Sequence, residues 1–87
     1  MSGTGVALVD RWRASGREVA VVGLGKSGVA ATRLLRHFGV PVYASDSGSG
    51  PAHQEWARTL EPAGAAVQLG GHDLERIARA AAVVVAP

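Results

Sequence analysis

The sequence predicts an α/β fold with a parallel sheet and helices on its faces, and three observations point to it. Short β-branched runs alternate with longer segments of helical period, the pattern of repeated strand–helix units. Residues 18–23 are almost entirely apolar, as expected for a central strand that helices cover on both faces. A glycine-rich turn follows that strand directly and leads into a segment of helical period.

A leading helix is predicted at residues 6–14, ahead of the central strand. Val6, Val9 and Trp12 fall on one side of this helix. Gly16 is the expected C-terminal stop, because glycine readily adopts the left-handed conformation that ends helices.

A second helix is predicted at residues 27–38, after the glycine-rich turn, and Gly39 is expected to end it. Apolar residues at helical spacing predict one buried stripe, with the polar side chains directed to solvent. The expected inward residues are Ala30, Ala31, Leu34, Leu35 and Phe38, and the expected outward residues are Arg33, Arg36 and His37.

The second half of the chain continues the alternation of strands and helices. Pro41 leads into a strand at residues 42–45, and residues 47–51 form a flexible loop. The last strand looks central, so we expect the sheet to be truncated after its fourth strand. A helix is predicted at residues 52–61, with Ala52, Trp56, Ala57 and Leu60 directed inward. A strand at 65–69 and a turn at Gly70-Gly71 follow it. A short helix capped by Asp73, with Leu74, Ile77, Ala78 and Ala81 directed inward, then leads into the last strand at 82–86.

Composition limits the classes of function. The 87 residues carry nine Lys or Arg against seven Asp or Glu, and the basic residues are scattered. A nucleic-acid interface needs a clustered basic patch, so we expect no nucleic-acid partner. The absence of cysteine excludes disulfides and thiolate metal sites. No apolar stretch is long enough for a signal peptide or a membrane span, so we expect a cytoplasmic protein without a membrane partner.

The glycine-rich turn has the spacing of a phosphate-binding loop. Gly23, Gly25 and Gly28 form Gly-x-Gly-x-x-Gly between a strand and a helix. These glycines would allow, in that order, a tight turn, a close approach of the backbone to a diphosphate, and close packing of helix on strand. Asp46 ends the next strand, eighteen positions after Gly28, where Rossmann-like folds carry a ligand-binding acid. The fold is therefore predicted to be Rossmann-like; the structural alternative is a tight turn with Asp46 capping a loop.

Two polar residues within this motif each have two interpretations. Lys26, the only lysine of the chain, starts the helix, where a cation is unfavourable unless a bound phosphate reverses the penalty. It is either a phosphate ligand or a solvated side chain. Ser27 is the N-cap, a phosphate ligand or both, since a diphosphate would meet the unpaired N–H groups of this helix end.

The remaining candidate side chains are interpreted as structural. His37, His53 and His72 lack the spacing of metal ligands and are expected to be solvated. Trp12 and Trp56 occupy apolar helix positions and are expected to pack rather than to stack on a ligand. No arrangement in the sequence predicts nucleophilic or acid–base catalysis, so we expect no catalytic residue, metal site or cofactor in this chain.

Residues 17–87 resemble the N-terminal domain of the Mur ligases, most closely those that add D-glutamate to UDP-N-acetylmuramoyl-L-alanine. The specific part is Gly-Leu-Gly-Lys-Ser-Gly together with Gly-His-Asp. The resemblance also uses Val19 to Val22, Gly39, the strand ending in Asp46, Gly70 and the strand from Val83 to Pro87. We therefore expect residues 1–16 to form a leading segment, and residues 17–87 a UDP-binding domain that is incomplete at its C-terminal end.

The resemblance implies that loop residues hold the UDP part of the substrate. The backbone N–H groups of Lys26 and Ser27 would contact the diphosphate, and Asp46 and Ser47 would contact the uracil. The implied set of binding residues is Gly23, Gly25, Lys26, Ser27, Gly28, Asp46 and Ser47.

This sequence departs from the family pattern at two places. The family often has a larger polar or basic residue where Gly48 stands, and it continues with Ser-Pro-Gly where this chain has Ala86-Pro87. Those two contributions to the uracil pocket are therefore in doubt. The resemblance implies that the full-length enzyme is a monomer. It also implies amide-bond formation driven by ATP with Mg²⁺, in domains that this chain does not include.

Two other functions are compatible with the same motif. A strand-end acid after Gly-x-Gly-x-x-Gly also occurs in NAD(P)-binding domains of dehydrogenases and ligand-gated regulators. A stand-alone α/β interaction module is a third, non-enzymatic hypothesis. The expected truncation of the sheet argues against this third hypothesis, and the family resemblance favours the ligase over the NAD(P)-binding domain.

Overall fold

Helices and strands alternate along residues 4–86, the part of the chain that this computed structural model describes. This order agrees with the predicted one, and most boundaries differ from the prediction by one or two residues. The elements are α1 (Thr4–Ser15), β1 (Val19–Val22), α2 (Lys26–His37), β2 (Val42–Asp46), α3 (Pro51–Leu60), β3 (Ala66–Leu69), α4 (Leu74–Ala78) and β4 (Ala82–Val85).

The four strands form one parallel sheet in the order β3-β2-β1-β4. The central position of β1 is confirmed, and its first three residues are fully buried. The predicted α/β, Rossmann-like class is also confirmed. The expectation of a central β4 is wrong for the described sheet, because β4 is its outer strand and Val85 is 74% exposed.

The hydrophobic core lies between the sheet and the helices. Val9 and Trp12 of α1 and Trp56 of α3 are partly buried and pack against it, so the packing interpretation of both tryptophans is confirmed. The side chain of Val6 lies outside the described residues. The buried core residues are Val19, Val21, Leu24, Leu35, Val40, Val42, Ala44 and Leu60.

The predicted buried face of α2 is only partly right: Leu35 is buried as expected, but Ala30 is exposed and Arg36, expected outward, is half-buried. Leu34 and Phe38 are 58% and 44% exposed, whereas Gly28 and Thr32 are buried with Leu35. The reason is the close approach of Gly28 to the loop after β1, which fixes the rotation of the helix. Thr32 is compatible with this face because its hydroxyl donates to the Gly28 carbonyl at 2.8 Å, so its polar group is satisfied within the core.

The last helix is shorter than predicted. Asp73 is confirmed as its N-cap, since its carboxylate accepts from the Arg76 N–H at 3.0 Å. Leu74 and Ala78 were expected to point inward but are exposed, while Ile77 is half-buried. A five-residue helix makes little more than one turn, so only part of the predicted stripe reaches the sheet. No helix within residues 4–86 has the length and apolar character needed to span a bilayer.

Candidate functional site

Loops from several strands meet at the carboxyl edge of the sheet, where open α/β sheets bind their ligands. The loops after β2 and β3 are joined by backbone hydrogen bonds. Gly71 N–H donates to the Asp46 carbonyl at 3.2 Å, and Gly70 N–H donates to the Gly48 carbonyl at 3.1 Å. These bonds hold the end of β2 in a fixed place beside the glycine-rich loop.

The three motif glycines have different surroundings. Gly23 has φ +100°, a conformation that favours glycine, and a Cβ there would lie 2.9 Å from the Ala86 carbonyl oxygen. A Cβ on Gly28 would overlap the Gly23 carbonyl oxygen. A Cβ on Gly25 would meet only the Trp56 ring, at 4.0 Å. The protein fold therefore requires glycine at positions 23 and 28, whereas at position 25 the protein leaves room for a side chain.

The N-terminus of α2 presents backbone N–H groups without a side-chain cap. The helix starts at Lys26 with Gly25 as N-cap, so the expectation of a Ser27 N-cap is wrong. The first backbone bond of the helix runs from Val29 N–H to the Gly25 carbonyl at 2.9 Å. The preceding N–H groups have no acceptor within the helix. Lys26 and Ser27 are exposed at this end.

Asp46 joins the glycine-rich loop to the loop after β2. Its carboxylate accepts from the Leu24 N–H at 2.7 Å and from the Gly48 N–H at 2.8 Å. His53 Nε2 lies 3.4 Å from the same carboxylate. Burial alone would raise the pKa of Asp46, but the two N–H donors and the nearby His53 and His72 together lower that pKa below its usual value.

Two of the three histidines are not solvated, contrary to the prediction. His72 Nδ1 lies 2.7 Å from the hydroxyl oxygen of Ser45, which is fully buried on β2. His53 is partly buried and packs edge-on against the Trp56 ring. His37 is exposed as expected. A long-range contact therefore brings His72 to the carboxyl edge, whereas His53 is placed there by its neighbours Asp46 and Trp56.

The arrangement at this edge is suited to an anionic ligand with polar groups. Unpaired N–H groups and a lysine at a helix N-terminus favour an anion, and the neighbouring Asp46 and exposed Ser47 can address polar groups. Within residues 4–86, no cluster of three His, Asp or Glu side chains is placed to hold a metal ion.

Comparison with known proteins decides the family. The family model described as "Mur ligase MurD-like, N-terminal domain" matches residues 17–87. The chain belongs to this Mur ligase family. The D-glutamate branch that the resemblance implied agrees with the names of its curated relatives.

The relatives of this Mur ligase domain are much longer proteins. The UDP-N-acetylmuramoylalanine--D-glutamate ligase of Acidobacterium capsulatum is 44% identical over 72 residues, which are 83% of this chain and 16% of that ligase. The ligase of the same name from Frankia casuarinae is 49% identical over 57 residues, 66% of this chain and 12% of that protein. The chain thus spans about a sixth or less of these relatives. No solved structure gave a significant match.

In this Mur ligase domain the structure brings the expected site residues together, and it adds some that the sequence did not indicate. The Leu24 N–H, His53 and His72 were missed. The Leu24 contact involves a backbone group and leaves no trace in residue type. One feature of the sequence could have indicated a packed His53: it lies three positions before Trp56 on the same helix face.

Proposed function

We propose that this chain is the part of a D-glutamate-adding Mur ligase that binds the UDP portion of UDP-N-acetylmuramoyl-L-alanine. The family membership and the names of the relatives support the substrate class. The structural observation that carries the proposal is the contact of Asp46 with the Leu24 N–H. This contact places a carboxylate beside a helix end that favours a diphosphate.

The diphosphate is assigned to the N-terminus of α2. The N–H groups of Lys26 and Ser27 donate to its oxygens, and the positive end of the helix dipole stabilises its charge. Gly25 supports this assignment, because the protein itself leaves space for a Cβ there. A ligand that lies against the backbone of Gly25 would explain why this position is a glycine. Lys26, the first residue of α2, is the basic residue closest in sequence to the proposed diphosphate position.

The base is assigned to Asp46 and Ser47 at the end of β2. A carboxylate offers about four acceptor positions, and the Leu24 and Gly48 N–H groups take two of them. His53 Nε2 lies 3.4 Å from Asp46 Oδ1, and we assign a remaining acceptor position to the ring N–H of uracil. The exposed Ser47 hydroxyl adds a group that both donates and accepts.

The complete reaction belongs to a longer protein. In the proposed ligase, ATP and Mg²⁺ drive amide-bond formation in the synthesis of a peptidoglycan precursor, in the cytoplasm and in a monomeric enzyme. The residues of this chain do not fit those groups, because the described part offers no metal-ligand cluster and the sequence has no second glycine-rich loop with a lysine. This chain contributes substrate binding only.

Titration with UDP and with NAD tests the proposal against an NAD(P)-binding domain. Both ligands carry a diphosphate, so they differ in the groups presented to Asp46. We expect the chain to bind UDP more tightly than NAD in a titration followed by ¹⁵N NMR. Asp46→Ala should weaken UDP binding by roughly 1–3 kcal/mol, the range for a lost hydrogen bond to a charged group. Tighter binding of NAD, lost in Asp46→Ala, would overturn the proposal.

A further inference from the structure

The backbone conformation at position 48 does not require the glycine that stands there. Its φ lies outside the left-handed region, so any residue fits its conformation. A Cβ at this position would lie 2.5 Å from His53 Nε2 and 2.9 Å from His53 Nδ1. The imidazole of His53 therefore occupies the space that a side chain at position 48 would fill.

His53 is held in place there by two neighbours. Its Nε2 lies 3.4 Å from the Asp46 carboxylate. The centroids of the His53 and Trp56 rings are 5.1 Å apart with an interplanar angle of 80°, a favourable edge-to-face geometry. The side chain is 28% exposed, so the ring is fixed by its contacts and remains accessible to a ligand.

The same face of α3 reaches from the end of β2 to the glycine-rich loop. His53 contacts Gly48 and Asp46, and Trp56, one turn further along the helix, approaches Gly25. The base is assigned to Asp46 and the diphosphate to the loop at Gly25. His53 therefore stands at the base end of the site.

We propose that His53 is a specificity-determining residue that contacts the base of the bound nucleotide, using the space left open by Gly48. This assignment rests on the proposed function. A neutral imidazole carries one donor and one acceptor nitrogen, and a pyrimidine such as uracil presents carbonyl acceptors beside a ring N–H. In this arrangement Asp46 accepts from the ring N–H of uracil, and His53 donates to a neighbouring carbonyl from the ring nitrogen that carries the proton.

Titration of the chain with UDP and ADP, which share the diphosphate and differ in the base, tests the assignment. We expect His53→Ala to weaken UDP binding about three- to tenfold, the effect of one net hydrogen bond, and to leave ADP binding within about twofold. Gly48→Ala should give a similar loss, because the new Cβ displaces the end of a flexible side chain and the fold is retained. The double variant should bind UDP no more weakly than His53→Ala.

Two matched variants serve as controls. His37→Ala removes a histidine exposed at the far end of α2, and Gly50→Ala adds a Cβ in the same loop with no atom within 4 Å. Both should bind UDP within about twofold of the wild type. Well-dispersed ¹⁵N spectra establish that each variant is folded.

The outcomes separate this assignment from the proposed function. Wild-type preference for UDP over ADP that is unchanged in His53→Ala overturns the assignment alone. Equal losses of UDP and ADP binding in that variant also overturn it, because they indicate a general effect on the site. A wild-type chain without preference for UDP contradicts both the assignment and the proposed function.

Discussion

At the scale of single residues, the surroundings of each missing Cβ separate the glycines of the motif. Gly28 lies against the Gly23 carbonyl, so its lack of a side chain sets the distance between α2 and the loop after β1. Gly25 meets only the Trp56 ring, at 4.0 Å. The packing of the fold therefore requires glycine at position 28, whereas the proposed ligand requires it at position 25.

Valine substitutions at these two positions should therefore have different effects. Gly28→Val should lower the free energy of unfolding by about 1–3 kcal/mol or more, because its side chain overlaps backbone. Gly25→Val should keep most of the stability and lose UDP binding, because its side chain occupies the diphosphate position. Thermal melts and UDP titrations check both variants. Equal loss of stability and of binding in the two variants contradicts this division.

Asp46 should make the stability of the domain dependent on pH in the acidic range. Folding lowers the pKa of Asp46 from its ordinary value of 3.8. The ionised carboxylate therefore stabilises the fold above that value, and this contribution is lost as the pH falls through the lower pKa of the folded state. We expect the melting temperature to fall more steeply in the wild type than in Asp46→Asn between about pH 5 and pH 2.

The control for this titration is Asp10→Asn, which changes an exposed carboxylate on α1. Its melting temperature should follow the wild-type dependence on pH. Parallel curves for the wild type and Asp46→Asn would contradict a lowered pKa of Asp46 in the folded state.

At the scale of elements, α4 is attached to the sheet mainly through one arginine. The Arg76 guanidinium donates to both carboxylate oxygens of Glu18, at 3.0 Å for the longer contact, and lies 4.5 Å from the centroid of the Tyr43 ring. Tyr43 in turn accepts from the Asp73 N–H at 2.9 Å. These contacts join α4 to β2 and to the residue before β1, where the apolar contribution of a five-residue helix is small.

Arg76→Ala should destabilise the domain by about 1–2 kcal/mol, because it removes a bidentate ion pair and a cation–π contact that are only partly exposed. Arg79→Ala is the matched control, since its ion pair with Glu75 is 3.9 Å long and exposed on both sides. That variant should stay within about 0.5 kcal/mol of the wild type. Chemical unfolding measures both, and equal effects would contradict the role given to Arg76.

At the scale of the whole molecule, the chain matches only a small part of its relatives. It spans 16% of the Acidobacterium ligase and 13% of the Geobacillus kaustophilus ligase. In the proposed ligase, amide-bond formation needs phosphate-transfer chemistry, which we assign to other parts of the longer protein.

This chain by itself should therefore neither hydrolyse ATP nor form an amide bond. A phosphate-release assay with ATP and Mg²⁺ checks the first point, with UDP-N-acetylmuramoyl-L-alanine and D-glutamate added for the second. The purified chain and a buffer blank should give the same rate. Hydrolysis that follows the folded protein through purification, and is lost in Gly28→Val, would contradict the assignment of the chain to substrate binding.

The sequence by itself determined the order of the elements, the central position of β1, the glycine-rich loop and the acid at the end of β2. These features depend on local signals: apolar periodicity, β-branched runs, and glycine or proline at turns. Each signal lies within a few neighbouring residues, so it can be read without knowing what packs against it.

Only the tertiary structure decided which faces and partners the elements use. The contact of Gly28 with the loop rotates α2 and exposes Leu34 and Phe38, although apolar periodicity had placed them inside. Asp46 meets Leu24 although 22 positions separate them, and His53 fills the space beside Gly48 because the loop after β2 folds back onto α3. Such contacts depend on three-dimensional distance and available volume, which residue type and spacing along the chain do not specify.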